Sequence, residues 1–308
     1  MDDEARFAAD LYRGTAAYYD RYRLPYPETM TGDLARRAGV TGRGRLLDLA
    51  CGTGQLAFPL RRWFREVWAV DAEPDMTELV RAKAAAAGAA GIRAVTSRAE
   101  TLRAAPGSFE LAVIGNAFHR LDRDLVAGRI GGWLEPGGHL ALCWSSLPWA
   151  GPAAWERTLA ALLERWRTAL GAGDRIPAGW DLGRQRRPDA QVLSGAGFEP
   201  AGRRAFAVGH RWSLPELAGY IRSTSFLPAA VLGGQGAAFD AGLAAALAPL
   251  GDHGAFTETV SFAYELAARR HPLPIADGGY RSLTAGSRVE ESGHDAPDGG
   301  KKRGSLHV

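Results

Sequence analysis

Lysine is almost missing from this 308-residue chain: it occurs only at positions 83, 301 and 302, and arginine carries nearly all the basic charge. With abundant alanine and glycine, that bias fits a GC-rich coding genome and says nothing about chemistry. Cysteine is scarcer still, with only Cys51 and Cys143. Two cysteines inside apolar segments exclude a disulfide framework and read as small apolar residues. No Cys, His or carboxylate cluster stands out, so no metal is expected. Charge of one sign is lacking too. The net charge of +3 is too small for the electrostatic footprint of a nucleic-acid binder, and the basic cluster Lys301-Lys302-Arg303 reads as solvated tail. No apolar run reaches the roughly 18 residues of a membrane span. The acidic opening Met1-Asp2-Asp3-Glu4 is unlike a signal peptide. These absences lead to the expectation of a cytoplasmic protein, monomer or homodimer, that engages neither nucleic acid nor membrane.

What is present is alternation. Helical signals over 4–22 and 28–38 precede strand 45–50, helix 54–64, strand 66–71 and a helix from about Asp75 to Gly88. Strands 92–96 and 109–114, helix 121–133 and strand 138–144 follow. Such a βα series predicts a parallel sheet with helices on both faces. Beyond Trp144 the pattern changes: a helix over 153–170, a Gly- and Arg-rich connector over 171–188, helices at 188–195, 214–224 and 236–248, and strands at 203–210 and 256–266, the last two paired antiparallel. The expected organisation is an N-terminal helical lid over 1–40, a cofactor-binding core over 41–146, a helical insert over 147–200, completing strands and cap helices over 201–271, and a disordered tail over 272–308.

The chemistry concentrates in Arg45-Leu46-Leu47-Asp48-Leu49-Ala50-Cys51-Gly52-Thr53-Gly54-Gln55-Leu56. Gly52 and Gly54 let the backbone turn tightly and approach a ligand. Asp71 closes the next apolar run, placed to accept hydrogen bonds from ribose hydroxyls. The segment also fits the looser dinucleotide fingerprint, so NAD and FAD compete with S-adenosylmethionine. Electrostatics separates them. A pyrophosphate rests on bare helix N-terminal amides, and a carboxylate at Asp48 would repel it. A cofactor with a sulfonium and an ammonium suits that acid instead. The bland alternative is an Asp48 that only ties up turn amides.

Four ordered motifs then resemble class I S-adenosylmethionine-dependent methyltransferases, small-molecule branch: Asp48-Leu-Ala-Cys-Gly-Thr-Gly, Val70-Asp71-Ala-Glu-Pro-Asp-Met76, Ala117-Phe-His119-Arg-Leu-Asp122, and Leu134-Glu-Pro-Gly-Gly-His-Leu140. The segments Tyr18–Pro27 and Arg211–Ser223 resemble that branch as well. The resemblance implies a Rossmann-like sheet of seven strands, six parallel and one antiparallel, with a helical cap after the fifth. It implies that Asp48, Ala50, Gly52 and Gly54 hold the methionine and ribose side, that Asp71 takes the ribose hydroxyls, and that Ala72 and Met76 pack on adenine. Arg98 stands where the family usually has an acid, so Ala99 and Glu100 are assigned the adenine-amino contact. Asn116 follows the fourth strand on the methyl-transfer side, and Arg23 is matched to the cofactor carboxylate as a fork-shaped partner, with a surface arginine as the competing account.

For the reaction itself, His119 is the candidate general base, because it follows the strand where the methyl group emerges. The competing account is an imidazole packed against the cofactor loop. Asp122 and Asp124 read as cap and first-turn acids of the next helix. Tyr18, Tyr19 and Tyr22 on the lid, Trp144 and Trp149 after the fifth strand, and Tyr220 in the cap are candidates for the acceptor pocket; core packing is the alternative for each. The expected function is O-methylation of a small-molecule, natural-product-like acceptor. N- or C-methylation is the alternative within the class. A fold recruited as a cyclase or isomerase, keeping the cofactor structurally, is the alternative outside it.

Overall fold

The structure, a computed structural model, describes residues 7, 10–177 and 180–270. The tail expected at 272–308 lies outside the described residues. The central strands of the first half read as apolar stretches because helices cover both of their faces. In β1 (Arg45–Leu49), Leu46 packs into one core while Leu47 and Leu49 pack into the other.

The chain begins with α1 (Ala16–Tyr22) and α2 (Glu28–Arg37), and β1 leads into α3 (Ala57–Leu60). Then come β2 (Glu66–Asp71), α4 (Pro74–Ala86), β3 (Ile92–Thr96), β4 (Phe109–Gly115), α5 (Arg123–Trp133) and β5 (Leu134–Ser145). The second half holds α6 (Ala154–Ala169), α7 (Trp180–Arg186), α8 (Asp189–Gly195), β6 (Phe198–Ser213), α9 (Leu214–Arg222), α10 (Ala229–Leu232), α11 (Gly236–Leu247) and β7 (Ala255–Arg269). The sheet order is β3-β2-β1-β4-β5-β7-β6. Strands β1 to β5 are parallel, and β7 runs antiparallel to both β5 and β6. Six strands therefore share one direction and β7 opposes them, as expected. Strand order reverses between β1 and β4, and open α/β sheets bind ligands at the carboxyl ends beside such a point.

Several boundaries moved for identifiable reasons. The helix expected at 54–64 shrinks to α3 and one 3-10 turn, Arg61–Trp63, because Gly52 (φ 54°) and Gly54 (φ 89°) are left-handed and hold 52–56 in a turn. The lid helix expected at 4–22 is helical only from Ala16 among the described residues, with left-handed Gly14 just before it. Strand β6 is twice its expected length, pairing with β7 from Phe198↔Arg269 to Ser213↔Ala255. It is an edge strand with most residues exposed, so the apolar alternation that marks a strand is absent from most of it.

A third apolar cluster joins α6, α9 and α11 through Trp155, Leu159, Leu163, Tyr220, Phe239 and Leu243. Helix α1 docks on α9, where Gly219 makes room for Tyr22: a Cβ there would lie 2.4 Å from that ring. Lid, core and cap thus belong to one compact unit ending at Arg270. Ala229–Leu250 is long and apolar enough to cross a membrane, by length and composition alone. That corrects the reading of the sequence as free of such a segment. The reading missed it because Gly233, Gly234 and Gln235 interrupt the apolar residues. Phe239, Leu243 and Leu247 of this stretch are buried in the cap cluster.

Candidate active site

Two adjoining chambers open at the carboxyl ends of β1, β2 and β4. Tyr19, Ala50, Gly115 and Asn116 line both. The inner one, about 30 Å³, is also walled by Arg23, Asp48, Ser145, Trp212 and Tyr220. The outer one, about 160 Å³, is walled by Gly52, Asp71, Ala72, Met76, Ala99, Glu100 and Arg120, among others.

Asp48 reaches the inner chamber from the penultimate residue of β1, where it is 1% exposed. One of its oxygens accepts the Ala57 amide at 2.8 Å, which starts α3. Burial pushes its pKa up to about 8, with nearby Asp71 adding to the rise and the Ala57 hydrogen bond opposing it. The bland reading, a carboxylate tied to a turn amide, is therefore true, but that bond engages only one oxygen. A cation brought beside Asp48 would favour the ionised form. Asp71 ends β2 and accepts amides from Gly52 (2.8 Å) and Glu73 (3.0 Å). Burial raises its pKa as well.

The backbone is strained where the chambers meet. Ala50 (φ 55°) and Asn116 (φ 51°) are both left-handed without being glycine, a conformation that costs of order 1–3 kcal/mol and clusters at ligand sites. Asn116 offsets part of this by bridging to β5: its amide donates to Ser145 Oγ at 3.3 Å and its Oδ1 accepts the Ser145 amide at 3.3 Å. Sequence analysis missed this strain, since nothing in an alanine or an asparagine announces it.

Arg23 extends from the end of α1 and donates to Ser223 Oγ at 2.8 Å and Tyr220 Oη at 3.0 Å. Its guanidinium lies over the Tyr220 ring at 4.3 Å and the Tyr19 ring at 4.9 Å. Its hydrogen-bond partners among the described residues are neutral, and no carboxylate among them lies within ion-pairing distance. The competing account, a surface arginine, does not describe it. Lys83, the one lysine among the described residues, ties the lid to the glycine turn by pairing with Asp20 and donating to the Thr53 carbonyl at 2.9 Å.

Several expected positions fall elsewhere. Gly54 lines neither chamber; its role is the turn, and a Cβ would meet the Phe58 ring at 2.8 Å. Tyr18 and Tyr22 stack on each other at 6.2 Å outside both chambers. Trp144 lies under Arg203 at 5.1 Å, and Trp149 packs edge-on against Tyr220 and Phe226. Neither indole lines a chamber. Of the aromatic candidates, Tyr19 and Tyr220 remain.

His119 also lines neither chamber. Its Nε2 accepts from Arg120 Nε at 3.2 Å, and burial, followed by the Arg120 charge, holds its pKa well below the usual imidazole range. An imidazole engaged by a guanidinium donor is a poor proton acceptor, so the geometry corrects its assignment as general base. Asp122 caps α5 through the Leu125 amide at 3.1 Å, as the cap reading expected. Glu100 and Arg98 both line the outer chamber, paired at 3.6 Å. Sequence analysis missed Tyr26, Ser145, Trp212 and Arg120 as wall residues. Arg120 alone carried a signal, a basic side chain directly after a strand-end motif. Among the described residues no group of three potential ligands could hold a metal.

Residues 46–138 match a family model described as a methyltransferase domain. Over that stretch the chain is similar to a methyltransferase domain. Uncharacterized methyltransferases of Mycobacterium tuberculosis and Mycobacterium bovis are each 30% identical over 128 residues, which is 42% of this chain and 49% of theirs. The match thus spans about half the length of these curated relatives. A solved structure from Anaeromyxobacter dehalogenans, assigned provisionally to the type II methyltransferases, shares the fold with a TM-score of 0.52 at 22% identity, covering 81% of this chain and 98% of that one. The two chambers lie where open α/β sheets place their ligands, beside the β1/β4 reversal.

Proposed function

We propose that the chain methylates a small-molecule acceptor from S-adenosylmethionine, at an acceptor oxygen, in the biosynthesis of natural products. The observation that carries this reading is the charge layout around Ala50 and Asn116. A buried acid (Asp48) and a half-buried arginine whose guanidinium has neutral partners (Arg23) share the inner chamber, and a second acid (Asp71) walls the outer one. An amino acid joined through a sulfonium to a nucleoside carries the complementary groups: a cationic end, a carboxylate and ribose hydroxyls. A dinucleotide pyrophosphate does not fit beside two carboxylates. Met76 and Ala99, both buried in the outer wall, offer an apolar surface for a purine.

When bound, the cofactor supplies an electrophilic methyl group that the acceptor takes in an in-line displacement. The chain's part is positioning, which can supply several kcal/mol by removing orientational freedom. Tyr19 and Tyr220 restrict the inner chamber, and Asn116 fixes the seam between the two.

Calorimetry tests this directly. S-adenosylhomocysteine should bind in a 1:1 complex and NAD should not; the reverse would end the proposal. An acceptor consumed without gain of one methyl mass would favour the recruited-fold alternative.

A further inference from the structure

Arg120 has no part in the function proposed above, yet its surroundings resemble those of Arg23. It follows β4 by five residues and lines the outer chamber. Nε donates to His119, and Nη2 donates to Ser225 Oγ at 3.2 Å. Nη1 is buried and has no hydrogen-bond partner among the described residues. The guanidinium lies 4.9 Å from the centroid of the Tyr12 ring. No carboxylate among the described residues lies within ion-pairing distance. Of the three acids lining the same chamber, Asp71 is engaged by the Gly52 and Glu73 amides and Glu100 by Arg98 and the Asp122 amide, while Glu73 forms no ion pair with Arg120. A second arginine deepens the positive charge, since Arg175 donates to the carbonyls of Ser225 and Leu11.

A buried donor left unmade is costly, and a buried charge calls for a counter-charge. The cofactor proposed above has one carboxylate, and Arg23 in the inner chamber is matched to it. A second guanidinium in the connected chamber needs a second anion. Resting on that cofactor reading, we infer that the acceptor is a carboxylic acid whose carboxylate is held by Arg120. Tyr12 and Leu11 would flank its carbon skeleton. His119 then acts as a positioning residue, its ring nitrogen fixing the orientation of the guanidinium.

The test uses acetate, small enough that chamber size cannot exclude it. The full chain is first titrated with S-adenosylhomocysteine; failure to bind there refutes the cofactor reading and is seen before acetate is added. The saturated protein is then titrated with ¹³C-acetate, acetamide and inorganic phosphate, followed by NMR line broadening. Saturable acetate binding is expected, at least tenfold tighter than acetamide or phosphate and at least tenfold weaker in Arg120→Met. Affinity for S-adenosylhomocysteine should stay within twofold in that variant, and Arg120→Lys should recover part of the acetate affinity. Equal acetate binding by wild type and Arg120→Met, or none in wild type, overturns the inference. So does preference for phosphate, or a tenfold loss of S-adenosylhomocysteine affinity in Arg120→Met, which would make the arginine a cofactor ligand. Should Arg120→Met fail to fold, Arg120→Gln carries the same comparison.

Discussion

Asp48 is held at some expense to the fold. Its folded pKa of about 8 lies above the unfolded carboxylate value, so between roughly pH 4 and pH 8 the folded state binds more protons than the unfolded one, and stability falls as pH rises through that window. Asp48→Asn removes the titration while keeping an oxygen for the Ala57 amide. It should raise the melting temperature at pH 8 and weaken S-adenosylmethionine binding at least tenfold. If a cationic ligand ionises Asp48, binding at pH 6.5 releases protons. Calorimetry in buffers of different ionisation enthalpy should detect this in the wild type and not in Asp48→Asn. Ala50 gives a second prediction at this scale. Its left-handed backbone (φ 55°) costs an L-residue about 1–2 kcal/mol. Ala50→Gly should recover part of that as a modest rise in chemical-denaturation midpoint, since glycine takes this conformation freely.

Between elements, the decisive contacts are few and specific. Helix α1 can bring Tyr19 and Arg23 to the chambers only because Gly219 leaves space for Tyr22. Gly219→Ala should therefore unseat the lid: hydrogen exchange should quicken over 16–22, and cofactor affinity should fall while the sheet stays protected. On the opposite side, Asp189 ties α5 to α8, accepting from Arg123 at 3.0 Å and Arg184 at 2.7 Å, with Arg123 only 4% exposed. Asp189→Ala removes the acceptor that both arginines share, and a lost hydrogen bond to a charged group costs about 1.5–3 kcal/mol. Urea denaturation should show a loss of that order, with cofactor affinity of the folded fraction unchanged, because Asp189 touches neither chamber.

For the molecule as a whole, lid, sheet and cap converge on the site, so ligand binding and global stability are linked. A ligand at one hundred times its dissociation constant adds about 2.7 kcal/mol if it binds only the folded state. S-adenosylhomocysteine should accordingly raise the melting temperature in a concentration-dependent way. NAD should leave it unmoved.

The first half of the sheet was legible because buried parallel strands are short apolar runs bounded by glycine, proline and acids, a local signal. Strands 66–71 and 92–96 were read to the residue, and the pairing of the last two strands was anticipated. Asp48, Ala50, Asp71 and Asn116 were anticipated at the strand ends, where backbone geometry confines side chains to the crevice, and Arg23, also anticipated, reaches it from the end of α1. The sequence by itself thus determined the parallel strands of the sheet and the acids at their ends. Only the tertiary structure decided which aromatics face the chambers: Tyr19 does, while Tyr18 and Tyr22, on the same short helix, stack outside. It also decided that His119 is spent on Arg120 and that Arg120 lines the wall. Those outcomes depend on contacts between residues about a hundred positions apart or more, such as Arg120 with Ser225 and Arg23 with Ser223. Local pattern carries no information about such meetings.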